Sequence, residues 1–293
     1  MSTVDIADLT RVRATRPEAI REAAAARRRR PLLGASGRLL IIAADHPARG
    51  ALGAGGDALA MANRADLLGR LCTALRRPGV DGVLGTSDVL EDLLLLGALE
   101  DKVVIGSMNR GGLAGSAFEL DDRFTGHRAQ DIERLRFDGG KLLLRLDYAD
   151  PGSLETMCGA ARAVNDLAER GLMAMVEPFL SRRVDGEVRN DLSAAAVTRS
   201  LSIAAGLGGT SAYTWLKVPV VDDIERIGQV MATTTLPTVL LGGEVSADQD
   251  ATFDRWRTAL RLPNVQGLVV GRSLLYPPDG DVAAAVDTAA GLL

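Results

Sequence analysis

Hydrophobic residues fall in short continuous runs, and each run ends in polar or glycine residues. The first is Arg38-Leu-Leu-Ile-Ile-Ala-Ala-Asp45-His46-Pro47. A strand buried on both faces loses the two-residue alternation, so such runs predict central strands of a parallel sheet. Further runs follow at 79–85, 102–106, 141–148, 172–178, 211–221, 237–243 and 265–271. Helix-forming segments separate them at 57–77, 88–96, 127–136, 153–170, 193–207, 223–231 and 248–260, and 281–293 closes the chain. Alternating buried strands and amphipathic helices specify a parallel sheet covered by helices. Eight evenly spaced units without a linker predict an α/β fold, a closed (β/α)8 TIM barrel over 37–293 as a single domain.

Residues 1–36 read as an N-terminal helical arm, rich in strong helix formers after Pro17. Its basic run, Arg27–Arg30, reads as a solvated helix end, with contact to a phosphate or a partner subunit as the alternative.

Composition narrows the function classes. Hydrophobic residues make up 47% of the 293 residues but aromatics only 3%, so Ala, Leu and Val must fill the core. The net charge of −4 gives no reason to expect nucleic acid or an anionic membrane as a partner. No apolar run approaches a membrane span, and the N-terminus is charged rather than signal-like, so a cytoplasmic location is expected. Cys72 and Cys158 match no metal or redox spacing and are expected as free thiols.

Lysine usage is the sharper signal. The chain supplies its positive charge as arginine and uses lysine only at Lys102, Lys141 and Lys217. Lys217 lies inside the apolar run Trp215-Leu-Lys-Val-Pro-Val220. A strand-end lysine can simply extend to water. Lysine, unlike arginine, can also be neutralised by burial and then attack a carbonyl to form a Schiff base.

The active site of such a barrel lies at the C-terminal ends of its strands, so polar residues there converge. The first strand ends in Asp45 and His46, and the fourth carries Lys141, Arg145, Asp147 and Tyr148. Glu177-Pro178 ends the fifth, Lys217 lies on the sixth, and Gly242-Gly243 and Gly271-Arg272 end the last two. Odd positions from 141 to 147 share one face. Glycines after the seventh and eighth strands fit a phosphate cradle, to which Arg272 adds a forked donor, while Glu244 places a like charge nearby.

These segments resemble the class I (Schiff-base) aldolase barrels, similar to tagatose-1,6-bisphosphate aldolase and the archaeal-type fructose-bisphosphate aldolases. The likeness covers most of 38–276. It rests on 44–52 at the first strand, 126–141 leading into the fourth, Val176-Glu177-Pro178, Leu216-Lys217-Val218, Glu244-Val245-Ser246-Ala247 and Val270-Gly271-Arg272. The chain departs from the family at His46-Pro47, where a glutamine is usual, at Glu244, a glycine, and at Arg145, an aromatic. These changes bear on the substrate more than on the chemistry.

The resemblance implies reversible aldol cleavage of a phosphorylated keto-sugar or keto-sugar acid. Its substrate could be a ketose (bis)phosphate, or 5-dehydro-2-deoxyphosphogluconate in inositol breakdown. Lys217 would be the nucleophile and Glu177 the proton shuttle, with Asp45 or Tyr148 as the group that moves the hydroxyl proton. Lys141 or Arg145 would act as the second cation that lowers the Lys217 amine. Arg145, Asp147 and His46 are expected to contact substrate, and Gly242, Gly243, Gly271 and Arg272 its phosphate. No metal or cofactor is expected, and self-association into a homo-oligomer stays open. The competing readings are a non-catalytic barrel that binds a sugar phosphate, and a metal-dependent lyase built on Asp45, Glu177 and Asp147.

Overall fold

The strand Leu39–Ala44 is buried at every position, as a strand packed between barrel interior and outer helices must be. The computed structural model describes residues 4–221, 223–243, 245–246 and 248–293. Its parallel strands are β1 (Leu39–Ala44), β2 (Gly82–Gly85), β3 (Val103–Ser107), β4 (Gly139–Leu146), β5 (Met173–Val184), β7 (Thr214–Val218), β8 (Thr238–Leu241) and β9 (Val265–Val270). Each pairs in parallel with its neighbours, and β4–β5 and β1–β9 pairing leaves no open edge, so the sheet closes into the expected (β/α)8 barrel. One strand was not expected. β6 (Glu187–Asn190) folds back antiparallel on the far end of β5, through an Asp185-Gly186 turn in which both residues take positive φ.

The intervening helices are α3 (Arg64–Leu75), α4 (Ser87–Leu95), α5 (Ala129–Arg134), α6 (Gly152–Ala168), α7 (Ala194–Ala205), α8 (Ile227–Met231) and α9 (Gln249–Ala259). α10 (Arg272–Leu275) and α11 (Val282–Ala290) follow β9. The core has two layers. Leu39, Ile41, Ala43, Ile105, Met175, Trp215, Val239 and Val269 fill the barrel, while Leu40, Ile42, Val104, Leu142, Val176 and Leu216 pack outward against the helices. The same alternation carries Asp45, Ser107, Lys141, Glu177 and Lys217 onto the inner face at the mouth.

The arm forms two helices, α1 (Ile6–Thr15) and α2 (Ala19–Ala26), and α2 lies against α4. Its basic run is solvated only in part: Arg28 and Arg29 are exposed, whereas Arg27 is not. Arg27 is only 2% exposed and donates to the carbonyls of Lys102 (2.7 Å) and Arg136 (2.6 Å). Arg29 pairs with Asp138 at 2.8 Å and Arg30 with Asp81 at 2.5 Å. Those carboxylates in turn accept from the Val104 and Leu40 amides, each at 2.8 Å. The arginines therefore tie the arm across the N-terminal floor of the barrel, a contact between residues too distant in sequence to be read from the run itself. Among the described residues, no helix is long and apolar enough to cross a membrane.

Candidate active site

At the mouth, β1, β4, β5 and β7 bring Asp45, Lys141, Glu177 and Lys217 into one cluster. Lys217 is 4% exposed and its Nζ lies 2.7 Å from Glu177 Oε1. The other Glu177 oxygen pairs with Lys141, which is 1% exposed. Lys141 Nζ is also 3.4 Å from Asp45 Oδ2. Thus one glutamate bridges two lysines, and one of those lysines reaches a second carboxylate.

Two members of the cluster were missed by sequence reasoning. Ser107, last residue of β3, donates to Asp45 Oδ2 at 3.1 Å. Arg110 pairs with the same Asp45 oxygen through Nη2, and its Nε donates to Ser107 Oγ at 3.1 Å. The available signal was position alone, since Ser107-Met-Asn-Arg110 directly follows a strand at the active end. Asn109 explains why the chain turns there. Its side chain accepts from the Leu143 amide at 2.7 Å and donates to the Leu143 carbonyl at 2.6 Å, so it takes the place of a strand partner beside β4. The backbone then leaves the sheet, and Arg110 is held by its amide to Thr125 Oγ1 at 3.2 Å.

Three expected site residues fall elsewhere. Arg145 is buried, but Asp122 holds its Nε at 2.9 Å and its Nη2 at 2.6 Å, while Glu119 pairs with Nη1 through its carboxylate and accepts from Nη2 at its backbone carbonyl. The loop wraps that guanidinium so closely that a Cβ at Gly112 would come within 2.6 Å of it. Arg145 is therefore an anchor of the β3–α5 loop and is not available to substrate or to Lys217. Tyr148 is 71% exposed, beyond the last β4 residue Leu146 and in step with the even positions that face outward. That removes it as the proton-transfer group. Asp147 accepts from the Ala149 amide at 2.9 Å in the turn that leads to α6.

On the opposite wall, Gly242, Gly243, Gly271 and Arg272 end β8 and β9. Gly271 is required by close approach, because a Cβ there would lie 2.3 Å from the Ala43 carbonyl and 2.9 Å from His46 Cε1. The Arg272 Nε and the His46 Nδ1 are buried without a hydrogen-bond partner among the described residues. Glu244, the expected unfavourable charge, lies outside the described residues.

The Cgl0159-like family matches residues 37–290, nearly all of the barrel. The chain belongs to this family. The crystal structure of Cgl0159 from Corynebacterium glutamicum (Brevibacterium flavum) is 55% identical, with a TM-score of 0.94 over 98% of this chain and 95% of that one. A Schiff-base-forming fructose-1,6-bisphosphate aldolase superposes with a TM-score of 0.68 at 17% identity, covering 93% of this chain and 99% of that one. An archaeal fructose-1,6-bisphosphate aldolase, with its catalytic lysine covalently bound to the carbinolamine intermediate, gives 0.67 at 16% identity, over 93% and 100%. The fold of this Cgl0159-like chain is thus that of the archaeal-type class I aldolases. Among curated proteins none matches.

Electrostatics distinguish the members of the cluster. Burial lowers the Lys217 ammonium from its ordinary value, with Arg110 and Arg272 adding to it against the opposing pull of Glu177. Burial, then Arg110, pushes Lys141 well below the usual lysine range. Burial alone would raise the Glu177 carboxyl, but the two lysines outweigh it and hold it below the usual carboxylate range. Burial, then Arg272 and Lys217, keeps His46 neutral at physiological pH. At rest the site therefore holds an ionised carboxylate between two amines that are disposed to lose a proton.

Proposed function

We propose that this chain is a class I aldolase-type carbon–carbon lyase acting on a phosphorylated keto-sugar or keto-sugar acid. The observation that carries the reading is the buried Lys217 amine, 2.7 Å from a carboxyl that the two lysines hold below its usual range. Its likeness in fold to Schiff-base-forming aldolases supports the same reading.

Neutral Lys217 attacks the substrate ketone to give a carbinolamine. Glu177, 2.7 Å away, carries the proton that leaves the amine to the departing hydroxyl, and water is lost to form the iminium. The iminium draws electrons from the adjacent carbon–carbon bond while Asp45 accepts the proton of the hydroxyl whose carbon becomes the aldehyde. The enamine left on Lys217 is then reprotonated and hydrolysed, which restores the amine. Lys141 bridges Asp45 and Glu177 and keeps the two proton-transfer carboxylates in register with Lys217. The backbone at Gly242, Gly243 and Gly271 and the Arg272 guanidinium form the phosphate end, and His46 lines the wall between it and Asp45. Candidate substrates are fructose 1,6-bisphosphate and 5-dehydro-2-deoxyphosphogluconate, both of which place a ketone next to a phosphate-bearing carbon.

Borohydride reduction in the presence of dihydroxyacetone phosphate, followed by peptide mass analysis, tests the reading. A reduced adduct is expected on Lys217. An adduct on Lys141 or Lys102 alone would overturn the nucleophile. No adduct with any phosphorylated ketone, despite binding, would make the chain a sugar-phosphate-binding barrel. Turnover lost to a chelator and restored by zinc would identify a metal-dependent lyase.

A further inference from the structure

The charged groups around Lys217 come from the ends of β1, β3, β4, β5 and β9. Glu177 reaches it from β5, and Lys141 from β4 through the same carboxylate. Arg110 stands after β3, Arg272 after β9, and Asp45 and His46 after β1. The end of β2, Gly85-Thr86, carries no charge, and the residue past β8 that does, Glu244, lies outside the described residues. Among the described residues, Lys141, Lys217, Arg110 and Arg272 stand against Asp45 and Glu177, while Arg49 and Arg145 are matched by Glu119 and Asp122. His46 is neutral there and offsets nothing.

A buried cluster with surplus positive charge gives up a proton from an amine, because a guanidinium does not readily lose one. Burial draws Arg110 down only to about 10, so it remains charged at neutral pH. The Arg110 guanidinium is also the one whose place is fixed. Its Nε is 3.1 Å from Ser107 Oγ, its Nη2 is on Asp45, and its backbone is tied to Thr125. Arg145, the other arginine near β4, is neutralised by Asp122 and Glu119 within its loop. Lys141 touches both Asp45 and Glu177, whereas Lys217 touches Glu177. With Arg110 holding one side of Asp45, less of that anion is left to keep the amines protonated.

We propose that Arg110 is a positioning residue of this site, which fixes the Asp45 carboxylate against Ser107 and Lys141 and stands as a fixed positive charge beside the two buried amines. The purpose of this device rests on the aldolase reading, but its test needs no substrate.

The chain has three lysines, so protein grown with heavy-nitrogen lysine gives a side-chain nitrogen spectrum simple enough to assign with Lys102→Arg and Lys217→Arg. The pH titration of the Lys217 signal is then followed directly. Arg110→Gln should raise the Lys217 midpoint by about one to two pH units, the effect of removing a like charge from a buried site. Arg110→Lys, which keeps the charge, should leave the midpoint in place. A folded Arg110→Gln protein with an unmoved Lys217 midpoint overturns the proposal, as does a shift confined to Lys141. If Arg110→Gln alone does not fold, Asp45→Asn is compared with the Asp45→Asn/Arg110→Gln double variant, in which no carboxylate is left stranded. The same upward shift between those two supports the proposal, and equal midpoints overturn it. Failure of the wild-type protein to trap an imine would remove the aldolase reading while leaving the titration result intact.

Discussion

The two ends of the barrel both carry dense charge, and they use it in opposite ways. At the floor, arginines of the arm meet acceptors nearly one for one: Arg28 with Asp101, Arg29 with Asp138, Arg30 with Asp81, and Arg27 with backbone carbonyls. At the mouth, two lysines share Glu177, and two arginines add to the imbalance. Balanced pairs built from a cation that cannot lose its proton hold chain segments together. An unbalanced cluster built from amines that can lose one is disposed to react. The choice between arginine and lysine follows this division, which is why a chain so poor in lysine keeps two of its three within one site.

Substitutions at the two ends should separate stability from activity. Lys217→Arg should have the largest effect, abolishing turnover in a protein that still folds, because guanidinium cannot form the imine. Steady-state kinetics with circular dichroism check both halves, and residual turnover near the parent level would remove Lys217 from the chemistry. Glu177→Gln should slow turnover by roughly 10²–10⁴-fold, the range for a general acid–base group. A rate within about threefold of the parent would instead reduce Glu177 to a partner for the lysines.

The floor should behave in reverse. Arg27→Met strands the carbonyls of Lys102 and Arg136, and should cost roughly 3–5 kcal/mol in denaturant unfolding while kcat of the remaining folded protein stays at the parent value. An Arg27 variant that lost activity without losing stability would erase the distinction between the two ends. The smallest effect belongs to the phosphate side. Arg272→Ala should weaken a phosphorylated substrate by roughly 1.5–3 kcal/mol, the worth of a charge-assisted hydrogen bond. It should change an unphosphorylated analogue far less, and equal losses on both would make Arg272 a support of the barrel wall.

The strands were legible because burial on both faces writes itself as continuous apolar runs. Run 38–45 became Leu39–Ala44 and run 265–271 became Val265–Val270. Asp45, Lys141, Glu177 and Lys217 were legible for the same reason, since period-two geometry carries the inward face of a strand into its polar end. What escaped depends on chain that follows no period. Ser107 and Arg110 act through a departure from β3 that Asn109 imposes, and hydrophobic patterning carries no trace of that exchange. Arg145 pointed inward as expected, yet its partners Asp122 and Glu119 come from a loop whose path is not periodic. Tyr148 lies outside because β4 stops at Leu146 and its even positions face the helices rather than the mouth. The burial of Arg27 and the ion pairs of its neighbours escape the pattern because their acceptors lie up to 109 residues away.

The extra length of β5 gives Glu177 a mechanical setting that its neighbours lack. β7 and β8 stop at Val218 and Leu241, but β5 runs on past Glu177 to Val184 and returns as β6. The Ser181–Asn190 ladder therefore stands outside the mouth like the handle of a blade whose edge is Glu177. A β-strand resists stretching along its axis, so a pull or a tilt at the hairpin arrives at that carboxylate as displacement. Arg183 grips the Ala117 carbonyl on the β3–α5 loop and so braces the handle against the same loop that anchors Arg145 and carries Arg110. The carboxylate between the lysines and the guanidinium beside Asp45 are thereby mounted on one frame.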